Sequence, residues 1–288
     1  MSSIKKAVIP AAGFGTRSLP ATKVVPKELL PLVDKPAIQI IVEELLDAGI
    51  EEIIFVISRD KTQVVDHFKP HPALEAHLQA RSQQTLLDKI TSLQNRARYT
   101  TVFQEKPLGL GHAVLCAEEA VGDDWFLVCL PDDLIDHPVP AALQMVQSWE
   151  THGKPMLAVM EVPWENVSQY GVVKAQPLTP ALGKVETVVE KPKRDVAPSN
   201  LAIIGRYLLP PSVFSFLKQV TPGAIGEIQL TDALHRLITD DLYAFQFEGD
   251  RYDIGNKLGY FEAILNYALN HPEIGPEALK MIKVLAQG

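Results

Sequence analysis

The chain has 288 residues, a formal net charge of −8 at pH 7, and 47% hydrophobic and 22% charged residues. This composition is typical of a folded globular protein and excludes a disordered or fibrous chain. The negative charge excludes broad nucleic-acid binding, which needs a basic surface, and no apolar run reaches the ~20 residues that span a membrane. Cys116 and Cys129 lie in apolar segments, which predicts buried thiols and a reducing, cytoplasmic location.

The first half of the sequence alternates predicted strands with predicted helices. Apolar runs predict strands at 5–11, 51–58, 98–104 and 125–130, and amphipathic patterns predict helices at 37–49, 73–95 and 111–121. This order predicts an α/β protein with a Rossmann-like, mainly parallel mixed sheet flanked by helices. Ligands of such sheets bind at the carboxyl ends of the strands, so we expect functional residues directly after them.

Beyond residue 138 the pattern predicts a smaller, partly antiparallel subregion. A helix near 139–150 precedes predicted strands at 155–162, 170–175, 183–192 and 201–209. Three further helices are predicted at 228–238, 258–269 and 276–287, and a helix-stop cluster from Asn270 to Gly275 separates the last two. We expect the last helix, within 271–288, to pack externally or against a partner subunit.

The segment after the first predicted strand, AAGFGTRSLPATKVVPKELLP, is a glycine turn with unusual features. Gly13 and Gly15 are followed by Ser18, so the segment lacks the third glycine of a dinucleotide fingerprint, and it also lacks the Walker pattern. Small residues let a flat ring approach the backbone, and cations suit a triphosphate. The cations in this segment are Arg17, Lys23 and Lys27. A plain turn with a solvated basic face is the alternative.

Other polar residues follow later predicted strands. Gln104 offers an amide donor and acceptor to a pyrimidine edge, and Asp132 and Asp133 are oxygen ligands of the kind that Mg²⁺ prefers. Glu190 and Lys191 end another strand, where neighbouring side chains reach one ligand only through a twist or bulge. A surface glutamine and a solvated strand end are the alternatives for the first and last of these.

Seven ordered blocks resemble the signature of the sugar-1-phosphate nucleotidylyltransferases. They are GFGTRSLPATKVVPKELLPLVDKPAIQ, QEKPLGLGHAV, LPDDLI, YGVVK, VVEKPKRDVAPSNLAIIGRYLL, GEIQLTDAL and DIGNKLGY, and they cover about residues 4 to 270. The blocks are similar to the uridylyltransferase branch of the family. The resemblance implies the nucleotide-diphospho-sugar transferase fold. It also implies Mg²⁺-assisted, in-line attack of glucose 1-phosphate on the α-phosphorus of UTP, giving UDP-glucose and pyrophosphate.

The resemblance also implies roles for individual residues at the nucleotide. Base, ribose or phosphates would be bound by Ala11, Ala12, Gly13, Gly15, Thr16, Gln104 and Gly109. Arg17 and Lys27 would contact the UTP phosphates, with Lys23 as a third cation. The catalytic set implied by the resemblance is Arg17, Lys27, Asp132 and Lys191.

At the sugar, the resemblance assigns Glu190 to the glucose hydroxyls, Lys191 to the phosphate of glucose 1-phosphate, and the backbone of Gly171 to the sugar face. Asp132 and Asp253 would hold Mg²⁺, with Asp133 as the alternative second ligand. These assignments divide a catalytic domain at 1–270 into a nucleotide part, about 1–137, and a sugar-phosphate part, about 138–270. The resemblance further implies a homodimer or homotetramer, with the C-terminal helix available for the subunit interface.

Three other functions remain open at this stage. A thymidylyltransferase would use the same amide of Gln104, because thymine presents the same edge as uracil. A nucleotide-sugar-binding regulatory module without catalysis would keep the blocks but not the turnover. A nicotinamide dehydrogenase is disfavoured by Ser18 at the third glycine position. His67 and His71 are expected at the surface, because Pro70 interrupts their helical spacing.

Overall fold

The computed structural model describes residues 4–221 and 226–286. Its strands are β1 (Lys6–Pro10), β2 (Pro31–Leu32), β3 (Lys35–Pro36), β4 (Glu52–Ile57), β5 (Arg98–Phe103), β6 (Phe126–Cys129), β7 (Asp133–Asp136), β8 (Met156–Glu161), β9 (Gly171–Thr179), β10 (Leu182–Glu190), β11 (Leu201–Leu209), β12 (Tyr243–Gln246) and β13 (Asp250–Asp253). The α-helices are α1 (Ala37–Asp47), α2 (Gln63–Asp66), α3 (Pro72–Ala80), α4 (Gln84–Thr91), α5 (Leu110–Cys116), α6 (Glu118–Val121), α7 (Ala141–His152), α8 (Ser212–Leu217), α9 (Leu230–Leu237), α10 (Lys257–Leu269) and α11 (Gly275–Leu285). Short 3₁₀ turns shape the loops between them.

Nine of these strands form one mixed sheet in the order β5-β4-β1-β6-β11-β8-β12-β10-β9. From β5 to β6 all neighbours are parallel, whereas β11 runs antiparallel to both β6 and β8, and β10 to both β12 and β9. The predicted α/β class, with a parallel first half and an antiparallel second region, is confirmed.

Helices cover both faces of the sheet because successive strand residues point to opposite sides. In β1, Ala7 and Ile9 pack into a core shared with α1 and α7, while Val8 between them packs into a second core with α5, α8 and α9. The continuous apolar run of β4 is buried on both faces, as expected of an inner parallel strand. The central strands are therefore fixed from both sides, which gives the loops at their carboxyl ends a rigid base.

Two predicted helices are wrong in their extent. The segment 73–95 forms two helices, α3 and α4, because the backbone at Ser82 enters the left-handed region with φ 55°, which an α-helix cannot accommodate. The segment 111–121 likewise divides into α5 and α6 around Ala117. The polar spacing of both segments is helical, so periodicity alone did not show the breaks.

Five strands were not predicted, including the two-residue strands β2 and β3, which pair only with each other. β12 is a four-residue strand that lies between β8 and β10 in the large sheet. β7 and β13 pair with each other in antiparallel register, which places Asp133 opposite Asp253. Each of these segments is short, so neither an apolar run nor a clear alternation marks it.

The C-terminal helices pack against each other and leave much apolar surface exposed. On α11, Met281, Val284 and Leu285 are 66%, 71% and 78% exposed. The predicted helix at 276–287 ends at Leu285, and residue 287 lies outside the described residues. Among the described helices, none combines the length and apolar character needed to cross a bilayer.

Candidate active site

A cavity of about 520 Å³ lies at the carboxyl ends of the parallel strands, lined by residues that directly follow β1, β5 and β6. The sequence-predicted residues that line it are Ala12, Gly13, Thr16, Arg17, Lys27, Gln104, Gly109, Asp132, Asp133, Gly171, Glu190, Lys191 and Asp253. Ala11, Gly15 and Lys23 are not part of the lining: Ala11 is buried and Lys23 is exposed. Folding thus brings together residues from all seven sequence blocks.

The segment from Ala11 to Pro31, which we call the opening loop, folds back on itself so that two of its cations reach the cavity. Gly15 has φ 64°, and a Cβ there would lie 3.3 Å from the Cβ of Lys27, so this close approach requires glycine. The Thr22 hydroxyl donates to the Gly15 carbonyl at 2.7 Å and fixes the returning segment. Short 3₁₀ turns at Thr16–Ser18 and Lys27–Leu29 then carry Arg17 and Lys27 to the cavity.

A buried lysine that the sequence analysis did not single out supports this loop. Lys61 is 6% exposed, and its ammonium donates to the carbonyls of Ala11 and Gly13 at 3.0 and 2.5 Å. It also forms an ion pair with Glu28 at 3.0 Å. In the sequence it stands in a polar turn, SRDKTQ, that looks solvated, so its burial arises only from tertiary packing.

Gln104 is buried at the end of β5, and its amide is oriented by two neighbours. Its Nε2 lies 3.2 Å from the carbonyl of Gly109 and 2.8 Å from Nδ1 of His112. With Nε2 donating to both groups, Oε1 is left to accept a hydrogen bond from a ligand. Burial lowers the pKa of His112, which favours the neutral ring whose Nδ1 accepts from this amide.

Gly109 and Gly111 hold the segment before α5 against another loop. A Cβ at Gly109, where φ is 96°, would lie 2.9 Å from the carbonyl oxygen of Ile228. The same carbonyl accepts a hydrogen bond from the N–H of Gly111 at 2.9 Å. The two glycines therefore permit backbone contact that any larger residue would prevent.

Two carboxylates from distant parts of the chain lie close together at Gly255. A Cβ at Gly255 would lie 3.0 Å from Asp132 Oδ2, from Asp253 Oδ1 and from Arg17 Nη2. The N–H of Ile254 donates to the backbone carbonyl of Asp132 at 2.9 Å and ties the two segments together. Gly255 thus keeps open a small space with two carboxylate oxygens on its border.

Cations neutralise Asp132. Lys27 Nζ lies 2.6 Å from Asp132 Oδ2, and Arg17 Nη2 lies 3.7 Å from it. Burial alone would raise the pKa of Asp132, but the charge of Lys27, with a smaller contribution from Arg17, holds that pKa below its ordinary value. Burial likewise opposes the charged form of Lys27, yet Asp132 and Glu28 raise its pKa. Both groups are therefore charged at neutral pH.

Asp133, the alternative metal ligand, also lines the cavity, but both of its carboxylate oxygens are engaged by other parts of the protein. Its Oδ1 is held by the guanidinium of Arg251, with Nε at 2.6 Å, and its Oδ2 accepts from the N–H of Gly205 at 3.0 Å. Because each oxygen already accepts a hydrogen bond from the protein, this carboxylate has less capacity left to bind a ligand. Asp253 shares the space at Gly255 with Asp132, and Arg251 also lies 3.6 Å from its Oδ2, so the second metal ligand stays a prediction.

Glu190 and Lys191 both line the cavity despite being adjacent in sequence. Strand β10 ends at Glu190, and the backbone of Lys191 is left-handed with φ 44°, which supplies the twist that the sequence analysis required. The N–H of Lys191 donates to the carbonyl of Tyr170 at 2.9 Å. A Cβ at Gly171 would lie 3.2 Å from Glu190 Oε2, so this carboxylate lies close to the backbone there.

Arg251 contacts two separate segments of the cavity lining, at Asp133 and at Tyr170. Besides holding Asp133, its Nη1 donates to the hydroxyl of Tyr170 at 3.0 Å. Tyr170 in turn binds the backbone of Lys191. Nearby, Thr231 has a buried hydroxyl without a hydrogen-bond partner among the described residues, so it remains available to a ligand.

Some residues of the cavity lining were not predicted from the sequence. Arg251 and Thr231 both lie inside or next to the blocks DIGNKLGY and GEIQLTDAL, which was the one available signal for them. His67 and His71 are exposed, as predicted, and lie outside this cavity.

A family model described as nucleotidyl transferase matches residues 6–270. The chain belongs to this nucleotidyl transferase family. Among curated relatives, it is 46% identical to a protein of Staphylococcus saprophyticus named UTP–glucose-1-phosphate uridylyltransferase 2, and the match covers 99% of both chains.

Solved structures give the same relationship in three dimensions. The chain is similar to a UTP-bound UGPase from Acinetobacter baumannii, with a TM-score of 0.90, 40% identity, and coverage of 97% of this chain and 98% of that one. It is also similar to a UDP-glucose pyrophosphorylase complexed with UDP-glucose, with a TM-score of 0.83, 40% identity, and coverage of 92% and 98%. The sequence resemblance to the uridylyltransferase branch is therefore confirmed.

Enzymes of the nucleotidyl transferase family generally use a divalent metal, and the site fits one. Asp132 and Asp253 present hard oxygen ligands on either side of the space at Gly255. Within residues 4–221 and 226–286, no group of three or more His, Cys, Asp or Glu side chains is arranged to enclose a metal. A pair of carboxylates suffices for a cation that completes its shell with water and substrate phosphates.

Proposed function

We propose that this enzyme forms UDP-glucose and pyrophosphate from UTP and α-D-glucose 1-phosphate. The observation that carries the proposal is that one cavity is lined by two chemically different groups of side chains. Arg17, Lys27 and the carboxylate pair form the first group, which we call the nucleotide end, and Glu190 and Lys191 form the second, which we call the sugar end. Sequence identity of 40–46% over nearly the full length of proteins named for this activity supports these substrates.

At the nucleotide end, the loop from Ala12 to Thr16 binds the base and ribose. Gln104 recognises the pyrimidine: its Nε2 is engaged by Gly109 and His112, so its Oε1 accepts the N3–H of uracil. Arg17 and Lys27 bind the phosphates and stabilise the negative charge that spreads over their oxygens.

At the sugar end, Glu190 accepts hydrogen bonds from glucose hydroxyls, and Lys191 binds the phosphate of glucose 1-phosphate. The backbone at Gly171 approaches the sugar closely because no side chain intervenes. These contacts orient one phosphate oxygen toward the α-phosphorus of UTP, and such positioning is a large part of catalysis in phosphoryl transfer.

The reaction is a single in-line displacement. A non-bridging phosphate oxygen of glucose 1-phosphate forms a bond to the α-phosphorus of UTP. The bond from that phosphorus to the α,β-bridging oxygen breaks, and its electron pair leaves with pyrophosphate. The attacking phosphate is already anionic, so no protein nucleophile or general base is required.

Asp132 and Asp253 would hold Mg²⁺. The bound ion would supply charge neutralisation and orientation of the phosphates. When UTP arrives, its phosphates compete with Asp132 for Lys27, whose ammonium lies 2.6 Å from that carboxylate. Nucleotide binding would therefore release the carboxylate for the metal.

The proposal is tested by incubating the purified protein with glucose 1-phosphate, Mg²⁺ and each of several nucleotides and measuring pyrophosphate release. We expect turnover with UTP to exceed that with dTTP, since the relatives are uridylyltransferases. Preference for dTTP would instead assign a thymidylyltransferase. Nucleotide binding by calorimetry without turnover under any metal would assign a binding module.

We also infer a homo-oligomer, dimer or tetramer, in a reducing cytoplasm. The exposed apolar residues of α11 support a subunit interface there, and the free thiols Cys116 and Cys129 suit a reducing compartment. The division into a nucleotide part, about 1–137, and a sugar-phosphate part, about 138–270, is proposed on the same basis as the two ends of the cavity. Sedimentation analysis of the protein and of Val284→Glu tests the interface.

A further inference from the structure

The ammonium of Lys61 has all three of its protons engaged by the opening loop. It binds the carbonyls of Ala11 and Gly13 and the carboxylate of Glu28, at 3.0, 2.5 and 3.0 Å. Both members of the ion pair are almost completely buried, with side-chain exposures of 7% for Lys61 and 0% for Glu28. Since an ammonium has three donors, its hydrogen-bonding capacity is used in full.

Lys61 does not belong to the cavity lining, whereas the residues it binds lie next to or within it. It reaches the loop from the 3₁₀ turn Arg59–Lys61 that follows β4. It therefore acts on a ligand only through the loop. One of its contacts, Glu28, directly follows the phosphate-binding Lys27, so a single side chain joins the base-binding and phosphate-binding parts of the loop.

The two carbonyl contacts also fix the direction of the neighbouring amides. A trans peptide unit is planar, and its C=O and N–H point in opposite directions. Holding the carbonyls of Ala11 and Gly13 toward Lys61 therefore points the N–H groups of Ala12 and Phe14 away from it. Ala12 and Phe14 line the cavity, so these amides are set before a nucleotide arrives.

A buried ion pair by itself adds little to the stability of a fold. The desolvation of two charges offsets much of their attraction, and an apolar pair of similar size is often at least as stable. The distinctive property of Lys61 is instead geometric: it holds two backbone carbonyls and one carboxylate around a single atom.

We propose that Lys61 is a positioning residue that presets the opening loop for the nucleotide. The inference rests on the proposed function, in that the nucleotide is taken to be UTP. It predicts that loss of Lys61 weakens nucleotide binding selectively, because the sugar end at Glu190 and Lys191 does not depend on this contact.

The test compares Lys61→Met, the double variant Glu28→Gln/Lys61→Met, and the control Lys69→Met, whose lysine is 56% exposed. The measurements are the Kd of UTP by calorimetry, the KM of glucose 1-phosphate, and the thermal midpoint. In Lys61→Met we expect the Kd of UTP to rise about tenfold to a hundredfold, the scale of a misplaced binding group. We expect the KM of glucose 1-phosphate to change less than about twofold, because Lys61 supports only the part of the site that binds the nucleotide.

The double variant separates positioning from charge burial. It removes the unpaired carboxylate that Lys61→Met leaves behind, so its thermal midpoint recovers toward that of the unsubstituted protein. Its Kd for UTP stays elevated, since the carbonyls of Ala11 and Gly13 are still free to turn. A Kd that returns to the unsubstituted value would overturn the proposal, as would equal changes for both substrates.

The calorimetric measurement also distinguishes this inference from the proposed function. If the unsubstituted protein binds UTP but shows no turnover, the proposed reaction fails, and the Kd of the variants still decides the role of Lys61. If the unsubstituted protein does not bind UTP, both are contradicted.

Discussion

The two ends of the cavity differ in how far they are fixed before a ligand binds. At the nucleotide end, ion pairs are buried: Lys61 with Glu28 below the loop, and Arg206 with Glu44 below the strand that leads to Asp132, where Arg206 is 0% exposed. At the sugar end, the side chains of Glu190 and Lys191 are 30% and 59% exposed. The groups that support the nucleotide end are thus buried before a ligand binds, whereas the ligand-facing side chains of the sugar end are partly exposed.

The largest effect is expected from Asp132→Asn at the nucleotide end. The substitution removes the proposed metal ligand and the charge partner of Lys27, so metal-dependent turnover should fall by about a hundredfold to a thousandfold, the scale of a lost electrostatic contact in a transition state. Initial rates over a range of Mg²⁺ concentrations measure it. Asp123→Asn, at an exposed carboxylate, is the matched control. Intact turnover in Asp132→Asn would show that another carboxylate holds the metal.

The rigidity of the nucleotide end is tested by Arg206→Met. Arg206 binds the Glu44 carboxylate at 2.7 Å and the backbone carbonyls of Leu130 and Asp133 at 3.2 and 2.8 Å. Removing it leaves a buried carboxylate unpaired, so the free energy of unfolding in urea should fall by about 3–5 kcal/mol.

The exposed Arg236→Met is the control for that experiment. The double variant Glu44→Gln/Arg206→Met should recover part of the lost stability, because it no longer buries an unpaired charge. A loss in Arg206→Met no larger than in the control would contradict the view that this end is held by buried pairs.

A smaller and more selective effect is expected from Lys191→Ala at the sugar end. It removes the proposed charged hydrogen bond to the sugar phosphate, so the KM of glucose 1-phosphate should rise about tenfold to a hundredfold. The KM of UTP should stay nearly constant. Steady-state kinetics in both substrates, with Lys193→Ala as the exposed control, separate these outcomes. A parallel rise in both KM values would mean that the two ends are not independent.

The smallest effect concerns the pH dependence of stability. Because Lys27 and Arg17 outweigh burial and hold the pKa of Asp132 below its ordinary 3.8, ionised Asp132 stabilises the fold above pH 3.8, and this contribution is lost as pH falls through the lower folded pKa. The difference in unfolding free energy between the unsubstituted protein and Asp132→Asn should therefore be constant near neutrality and shrink only below pH 3.8. Chemical unfolding from pH 7 to 3 checks this, and a decline that begins above pH 5 would contradict it.

Much of the fold followed from local patterns. The alternation of apolar strands and amphipathic helices predicted the parallel strands and the position of the cavity after β1, β5 and β6. The break at Ser82 and the short strand β12 depend on how distant segments pack, and their sequences carry little local signal.

The residues of the candidate site likewise differ in whether the sequence alone predicts them. The cations of the opening loop and Asp132 stand in recognisable sequence blocks directly after strands. Lys61 does not, because its polar turn is far from Ala11 in sequence and is buried only by folding. The contacts of Arg251 with both Asp133 and Asp253 likewise could not be predicted from the sequence, since they join segments about 120 residues apart.

The central claim is that one cavity joins UTP to glucose 1-phosphate. The most direct measurement follows UDP-glucose and pyrophosphate together by chromatography, with Mg²⁺ and both substrates and with each substrate omitted in turn. The account predicts the two products in equal amounts, and neither product when either substrate is absent. Pyrophosphate release without glucose 1-phosphate, or no product with both substrates present, would contradict it.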